Sequence, residues 1–226
     1  MESDSIKAMF DTVKGSITFG NILNQHNLRQ KQVLDIGCGF GQYLRHFGPG
    51  SMGVTSTSEE VSFGSRNQLN IIKGNAEEIV KLNIETKFDV VWANNLFEHL
   101  LSPHAFLVKL KTLSSSNTSL ILGVPVIPMF YFLTHLKFWR GMLASNHINF
   151  FNYHSLKLTI ERAGWKVKFA RPYIFKSPLL DRIIARLAPH LYFVCENNAE
   201  YKYPEKKVKE WEGEAYYKDL LKINNS

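Results

Sequence analysis

Val33-Leu34-Asp35-Ile36-Gly37-Cys38-Gly39-Phe40-Gly41 decides how the rest of this 226-residue chain is read. Three aliphatic side chains in four residues have the length and composition of a strand buried on both faces. The strand runs into Gly-x-Gly-x-Gly and then into a stretch expected to be helical, Gly41 to Phe47. Glycines at that spacing let backbone approach a ligand where side chains would stand in the way. The implied ligand is of nucleotide type. A dinucleotide fingerprint would need its third glycine at position 42, which is Gln42, and Asp35 would sit poorly beside a pyrophosphate, so NAD is disfavoured.

Outward from this stretch, apolar runs of strand length alternate with segments of helical period, the pattern of an α/β fold. Strands are expected at residues 32–36, 51–55, 70–73, 88–93, 119–124, 166–172 and 191–196, with helices at 41–47, 59–67, 76–82, 103–113 and 154–163. Asn152 or Ser155 can cap the last helix and Gly164 ends it. The expected architecture is one Rossmann-like domain, a seven-stranded, mostly parallel sheet with helices on both faces. Residues 32–196 form that domain, 1–31 an N-terminal helical segment and 197–226 a charged helical tail, whose apolar contacts would be Trp211, Tyr216, Leu220 and Leu221. Residues 125–151 interrupt the rhythm as an insertion rich in Phe, Met, Leu and Trp, and loops of that length are usually functional.

Composition is that of a globular domain, 45% hydrophobic and 21% charged, so a packed core needs no staple. Cys38 lies in the glycine cluster and Cys195 in an apolar run. Neither has a Cys or His partner at zinc-ligand spacing, so no disulfide scaffold or structural metal is expected, and a reducing, cytoplasmic setting is. The N-terminus is acidic and lacks an apolar block, so no targeting segment is read. The net charge of +7 is concentrated: residues 126–190 carry ten bases against two acids, and the remainder seventeen against eighteen. That segment is either a solvated face or a surface for an anionic partner such as a membrane.

The glycine cluster resembles the first motif of class I S-adenosylmethionine-dependent methyltransferases, especially the small-molecule branch that includes ubiquinone-biosynthesis O-methyltransferases, and the likeness runs from about Gln32 to Glu196. The resemblance implies S-adenosyl-L-methionine as cofactor, with Asp35 organising its cationic end and Gly37, Cys38, Gly39 and Gly41 lining it. The family usually has an acid at the end of the second strand for the ribose hydroxyls. Gly53-Val54-Thr55-Ser56 puts Thr55 there, so either cofactor affinity falls or Ser56, Ser58 or Glu59 substitutes, and Thr55→Asp would be expected to tighten binding. Cyclopropane-fatty-acid synthases and tocopherol-type methyltransferases look similar at this point. Gly74-Asn75-Ala76-Glu77 resembles the family's adenine-binding string, with Asn75 either an acceptor for the adenine amino group, beside Ala76, or a helix cap. Asn94, after the fourth strand, opens the motif that lies beside the sulfonium.

Methyl transfer needs an acceptor in line and, for a hydroxyl, a group to take its proton. His99, in the cofactor-edge motif, and His147, in a His-x-x-Phe-Phe string that recurs in this branch, are the candidate bases. The remaining histidines, His26, His46, His104, His135, His154 and His190, are read as surface or capping residues. No Asn-Pro-Pro-Tyr string or nucleic-acid module occurs, so nucleic acid is not an expected partner. The insertion offers an apolar wall for a small-molecule or lipid-linked acceptor. O-methylation is the leading expectation, with carbon methylation of an unsaturated lipid and a catalytically silent binding module as its rivals.

Overall fold

The computed structural model describes residues 2–206. The expected contacts of Trp211, Tyr216, Leu220 and Leu221 lie outside the described residues.

Four parallel strands build the centre: β1 (Val33–Ile36), β2 (Met52–Thr55), β3 (Ile71–Lys73) and β4 (Val90–Asn94). The sheet continues through β5 (Ser119–Ile127), β6 (Phe151–Asn152), β7 (Trp165–Arg171) and β8 (His190–Asn197). The order is β3-β2-β1-β4-β5-β8-β7, with β6 pairing only the end of β5, and β8 runs antiparallel to both its neighbours. Every residue of β1 and β4 is buried, as strands covered on both faces must be.

Alternation along these strands divides the core. Leu34, Ile36, Val91, Leu120 and Leu122 face α4 (Pro103–Leu110) and α5 (Tyr153–Arg162). Val33, Val90, Trp92 and Ile121 face α2 (Ile17–Gln25), whose Phe19, Ile22 and Leu23 are buried among them. Ahead of α2 lies α1 (Glu2–Gly15), and α3 (Ser58–Arg66) and α6 (Pro178–Ile184) complete the helices. Asn152 and Ser155 form a reciprocal capping box at the start of α5, and Gly164 follows its end at φ +84°.

Several expected elements are altered. The helix expected at 41–47 is a series of turns closing with a 3₁₀ turn at Leu44–His46, because Gly41 takes φ +86° and Gly48-Pro49-Gly50 follow at once. The helix at Ala76–Leu82 is 3₁₀, kinked at Glu78. The helix at 103–113 ends as α4 at Leu110 and continues as a 3₁₀ turn over Lys111–Leu113. Expected to begin at residue 125, the insertion instead leaves the sheet after Ile127, since Val126 and Ile127 pair with Phe151 and Asn152 of β6. It contains two 3₁₀ turns, Tyr131–His135 and Arg140–Leu143. Neither β6 nor α6 has a counterpart among the expected elements.

Candidate active site

β1, β2, β3 and β4 all end at one edge of the sheet, and the expected site residues collect there. Asp35 in β1 is 1% exposed, and its Oδ2 has no hydrogen-bond partner among the described residues. Burial alone pushes its carboxyl up to about 8. Beside it, Tyr43 accepts a hydrogen bond from Asn94 Nδ2 at 3.1 Å and packs against Trp92. Asn94 Oδ1 and Trp92 Nε1 are also buried without hydrogen-bond partners among the described residues. Buried polar groups are normally paired, so this cluster has the character of a site that a cationic, hydrogen-bonding ligand would complete.

The glycine loop curls over this edge with Gly37, Gly39 and Gly41 at φ +76°, +56° and +86°, angles that side-chain-bearing residues rarely adopt. The amides of Gly37 and Cys38 donate to the Val54 carbonyl, and that of Gly41 to the Cys38 carbonyl. These three N–H groups therefore shape the loop and tie it to β2. The Cys38 thiol is buried, which raises its pKa, and it faces Gly53, where a Cβ would lie 2.6 Å from Sγ.

At the end of β2 the Thr55 hydroxyl donates to Glu60 Oε2, which comes from the first turn of α3. The acid that meets Thr55 is therefore Glu60, which is not among the expected substitutes Ser56, Ser58 and Glu59. Ser56 and Glu59 are exposed, and the Ser58 hydroxyl accepts from Lys73. Asn75 is the cap of the two readings at this level: its Oδ1 accepts the Glu77 amide at 2.9 Å. A carbonyl oxygen has a second lone pair and the amide nitrogen two donors, so capping leaves Asn75, an exposed residue next to the half-buried Ala76, able to meet an adenine edge.

His99 and His147 are brought together, with ring centroids 4.9 Å apart and nearly perpendicular planes. The Glu98 carbonyl accepts the amides of Ile148 and Asn149 at 3.0 Å, and Asn149 Nδ2 donates to the Leu100 carbonyl at 2.6 Å, which fastens the insertion to the turn after β4. His99 Nδ1 lies 3.0 Å from the Asn146 carbonyl and His147 Nδ1 3.0 Å from that of Met142. A carbonyl can only accept, so each Nδ1 carries the hydrogen and each neutral ring keeps its lone pair on Nε2. Both Nε2 atoms lie 3.9 Å from Glu98 Oε1. Sequence reading missed Glu98, although it adjoins His99. It is 1% exposed, neither carboxylate oxygen has a side-chain hydrogen-bond partner among the described residues, and burial raises its pKa.

Among the other histidines, His190 departs from the expected surface role. It begins β8 half-buried at the same edge, with Nε2 2.9 Å from Asn95 Oδ1, and burial lowers its pKa to about 4. His26 caps the C-terminus of α2, within the expected role, and also lies 2.6 Å from the Tyr173 hydroxyl, its pKa lowered to about 4 chiefly by burial.

Residues 18–168 match the model of a family described as a methyltransferase domain. No curated protein matches the sequence. Similar solved structures include an S-adenosylmethionine-dependent methyltransferase from Archaeoglobus fulgidus, 18% identical at a TM-score of 0.55, covering 83% of this chain and 97% of that one. Another, from Clostridium acetobutylicum, is 10% identical at a TM-score of 0.62, covering 88% and 100%. A third is the magnesium protoporphyrin IX methyltransferase of Synechocystis with bound S-adenosylhomocysteine, 16% identical at 0.54, covering 83% of each. The chain belongs to the methyltransferase-domain family, on the class I S-adenosylmethionine-dependent methyltransferase fold.

Proposed function

We propose that this enzyme transfers a methyl group from S-adenosyl-L-methionine to a hydroxyl of an apolar, lipid-linked acceptor, as the resemblance to the ubiquinone-type branch implies. The cofactor reading is supported by the buried Asp35 carboxyl just ahead of the glycine loop, whose Oδ2 has no hydrogen-bond partner among the described residues and fits the donor's ammonium. Thr55 and Glu60 would hold the ribose hydroxyls, Asn75 and Ala76 the adenine, and Asn94 with Gly37, Cys38, Gly39 and Gly41 the methionine end. When bound, the cofactor supplies an electrophilic methyl group on a sulfonium leaving group. The Glu98, His99 and His147 cluster stands at the same strand edge, where an Nε2 lone pair can take the acceptor's hydroxyl proton.

The acceptor class rests on one observation: the insertion leaves large apolar side chains in solvent beside bases. Phe132 is 64% exposed and Phe138 66%, and Ile183 of α6 is 68% exposed. Lys137, Arg140, Arg182 and Arg186 are exposed on the same segments. The Trp139 indole, 2.7 Å from the Leu187 carbonyl, and the Met129 amide, 2.9 Å from that of Arg186, join the insertion to the chain after α6. An apolar patch rimmed by cations suits an anionic membrane surface, where each base contributes about 1 kcal/mol. No described helix is long and apolar enough to cross a membrane, so the contact would be peripheral.

Co-sedimentation with anionic and neutral vesicles tests this reading, followed by mass analysis of products from polyprenyl-phenol and unsaturated-lipid pools. The chain should sediment with anionic vesicles at low salt, lose them at high salt, and add one methyl to a hydroxyl. Indifference to lipid charge would remove the membrane-borne acceptor and leave a soluble small molecule. Methylation at carbon would replace the hydroxyl reading.

A further inference from the structure

We infer that the cavity enclosed by α2, β7 and α6 is a second binding site of this chain, for a small aromatic oxyanion: a flat apolar body bearing a carboxylate or a phosphate. The cavity measures about 630 Å³, a size that holds small organic ligands. β7 is an edge strand, three places from β4 in the sheet, and none of the residues lining the cavity belongs to the cofactor edge.

An irregularity in β7 makes the site. Val167 pairs with Cys195 but Phe169 with Val194, so Lys168 is an extra residue that the ladder leaves unpaired. Cys195 belongs to the core that faces α4 and α5, whereas Val194 and Tyr192 belong to the core that faces α2. Residues directly opposite one another share a face. The bulge therefore turns Phe169 and Arg171 toward α2, where unbroken alternation from Trp165 would have kept both beneath α5. Phe169 accordingly stacks on His26 at the C-terminus of α2, with ring centroids 6.1 Å apart and planes inclined by 20°. Phe169 and Tyr153 give a flat ligand its apolar contact.

The polar lining points to an anion. Arg171 is 6% exposed, yet its Nε and Nη1 have no hydrogen-bond partner among the described residues, and neither has Asp181 Oδ2, 3.8 Å from that Nε. Asp181 balances the charge of the guanidinium without satisfying these donors, and an added oxyanion completes such a group. Lys168 and Arg182 line the same cavity from exposed positions. Lys168 is paired 3.1 Å from the half-exposed Glu196, a contact of small worth, and Arg182 meets no carboxylate among the described residues. Three bases against two acids leave one positive charge for the ligand. Beside them Tyr173 is fully buried at φ +56°, uncommon for a bulky side chain. Asn21 Nδ2 donates to its carbonyl at 2.9 Å and the Arg171 guanidinium lies 4.1 Å over its ring. Backbone strain of this kind persists where the surroundings impose it, and it gathers at ligand-binding sites.

The test is calorimetry on full-length protein, free of vesicles, titrated with phenyl phosphate, benzoate, inorganic phosphate and the neutral benzyl alcohol, each with and without saturating S-adenosylhomocysteine. One equivalent of phenyl phosphate or benzoate should bind at submillimolar affinity in both conditions, and the tighter of the two names the oxyanion. Inorganic phosphate and benzyl alcohol, each lacking half of the ligand, should bind about tenfold more weakly or worse. Lys168→Ala and Arg182→Ala should each cost about five- to tenfold, and Phe169→Ala should bring phenyl phosphate down to the level of inorganic phosphate. Arg171→Ala would leave Asp181 a lone buried charge, so Arg171→Lys is the informative change at that position: it keeps the charge, loses the planar donors and should abolish binding with circular dichroism as in wild type. S-adenosylhomocysteine affinity should be the same in every variant. Wild type that binds neither aromatic anion at millimolar concentration, binding indifferent to Lys168→Ala and Arg182→Ala, or binding displaced by S-adenosylhomocysteine, would overturn the site.

Discussion

The Thr55 hydroxyl, at the end of β2, donates its hydrogen bond to Glu60 in the first turn of α3. The carboxylate missing from the strand end is thus supplied from across the turn, and Thr55 fixes its position. An aspartate at 55 would meet this carboxylate as a like charge, so we propose the opposite of the effect expected from the strand alone. Glu60→Gln should weaken S-adenosylhomocysteine binding about tenfold, by exchanging charge-assisted hydrogen bonds for neutral ones. Thr55→Asp should also weaken it. Calorimetry on both variants decides, and tighter binding by Thr55→Asp would show that Glu60 does not face the ribose.

Asp35 gives a pH signature. Its folded pKa of about 8 stands above the ordinary 3.8 because burial disfavours the charged form. Between those values the folded chain holds a proton that the unfolded chain has released, so this residue lowers stability as pH rises from about 4 to about 8. His26 and His190, lowered to about 4, act oppositely and only between about 4 and 6.5. The melting temperature of Asp35→Asn relative to wild type should therefore climb with pH up to about 8. A difference that does not vary with pH would place Asp35 in a wetter setting. Affinity for a ligand ammonium should rise over the same range, with proton release visible in buffers of different ionisation enthalpy.

Asn149 joins the insertion to the active-site turn through Leu100 and Glu98. Asn149→Ala should lower turnover about 10- to 100-fold by loosening His147 against His99, with S-adenosylhomocysteine affinity unchanged. Equal loss of both would mark a general folding defect.

His99→Ala and His147→Ala should each lower turnover on a hydroxyl acceptor by roughly 10²- to 10⁴-fold. Wild-type rates in both variants would leave positioning as the main catalytic effect and end the case for the cluster.

What the sequence made legible was local. The apolar run at Val33–Ile36, the three glycines and the capping residues Asn152 and Ser155 act through neighbours within a few positions, so their spacing carries the information. Gly41 misled, because helical period continues through it while its backbone sits at φ +86°. Glu60 was passed over for Glu59 because one residue of helical phase decides which acid turns back over β2. Glu98 was passed over because burial is a property of the assembled fold: a glutamate in a turn gives no sign that β5 and the insertion will come against it.

The central claim is that the edge around Asp35 and the glycine loop holds S-adenosylmethionine. Its most direct test is calorimetric titration of S-adenosylhomocysteine into wild type and Asp35→Asn. One site of micromolar affinity, roughly −7 to −8 kcal/mol, is predicted for wild type, with at least a tenfold loss in the variant. A well-folded wild-type chain that gives neither heat nor thermal shift at millimolar ligand would contradict the account and leave a methyltransferase fold serving as a binding module.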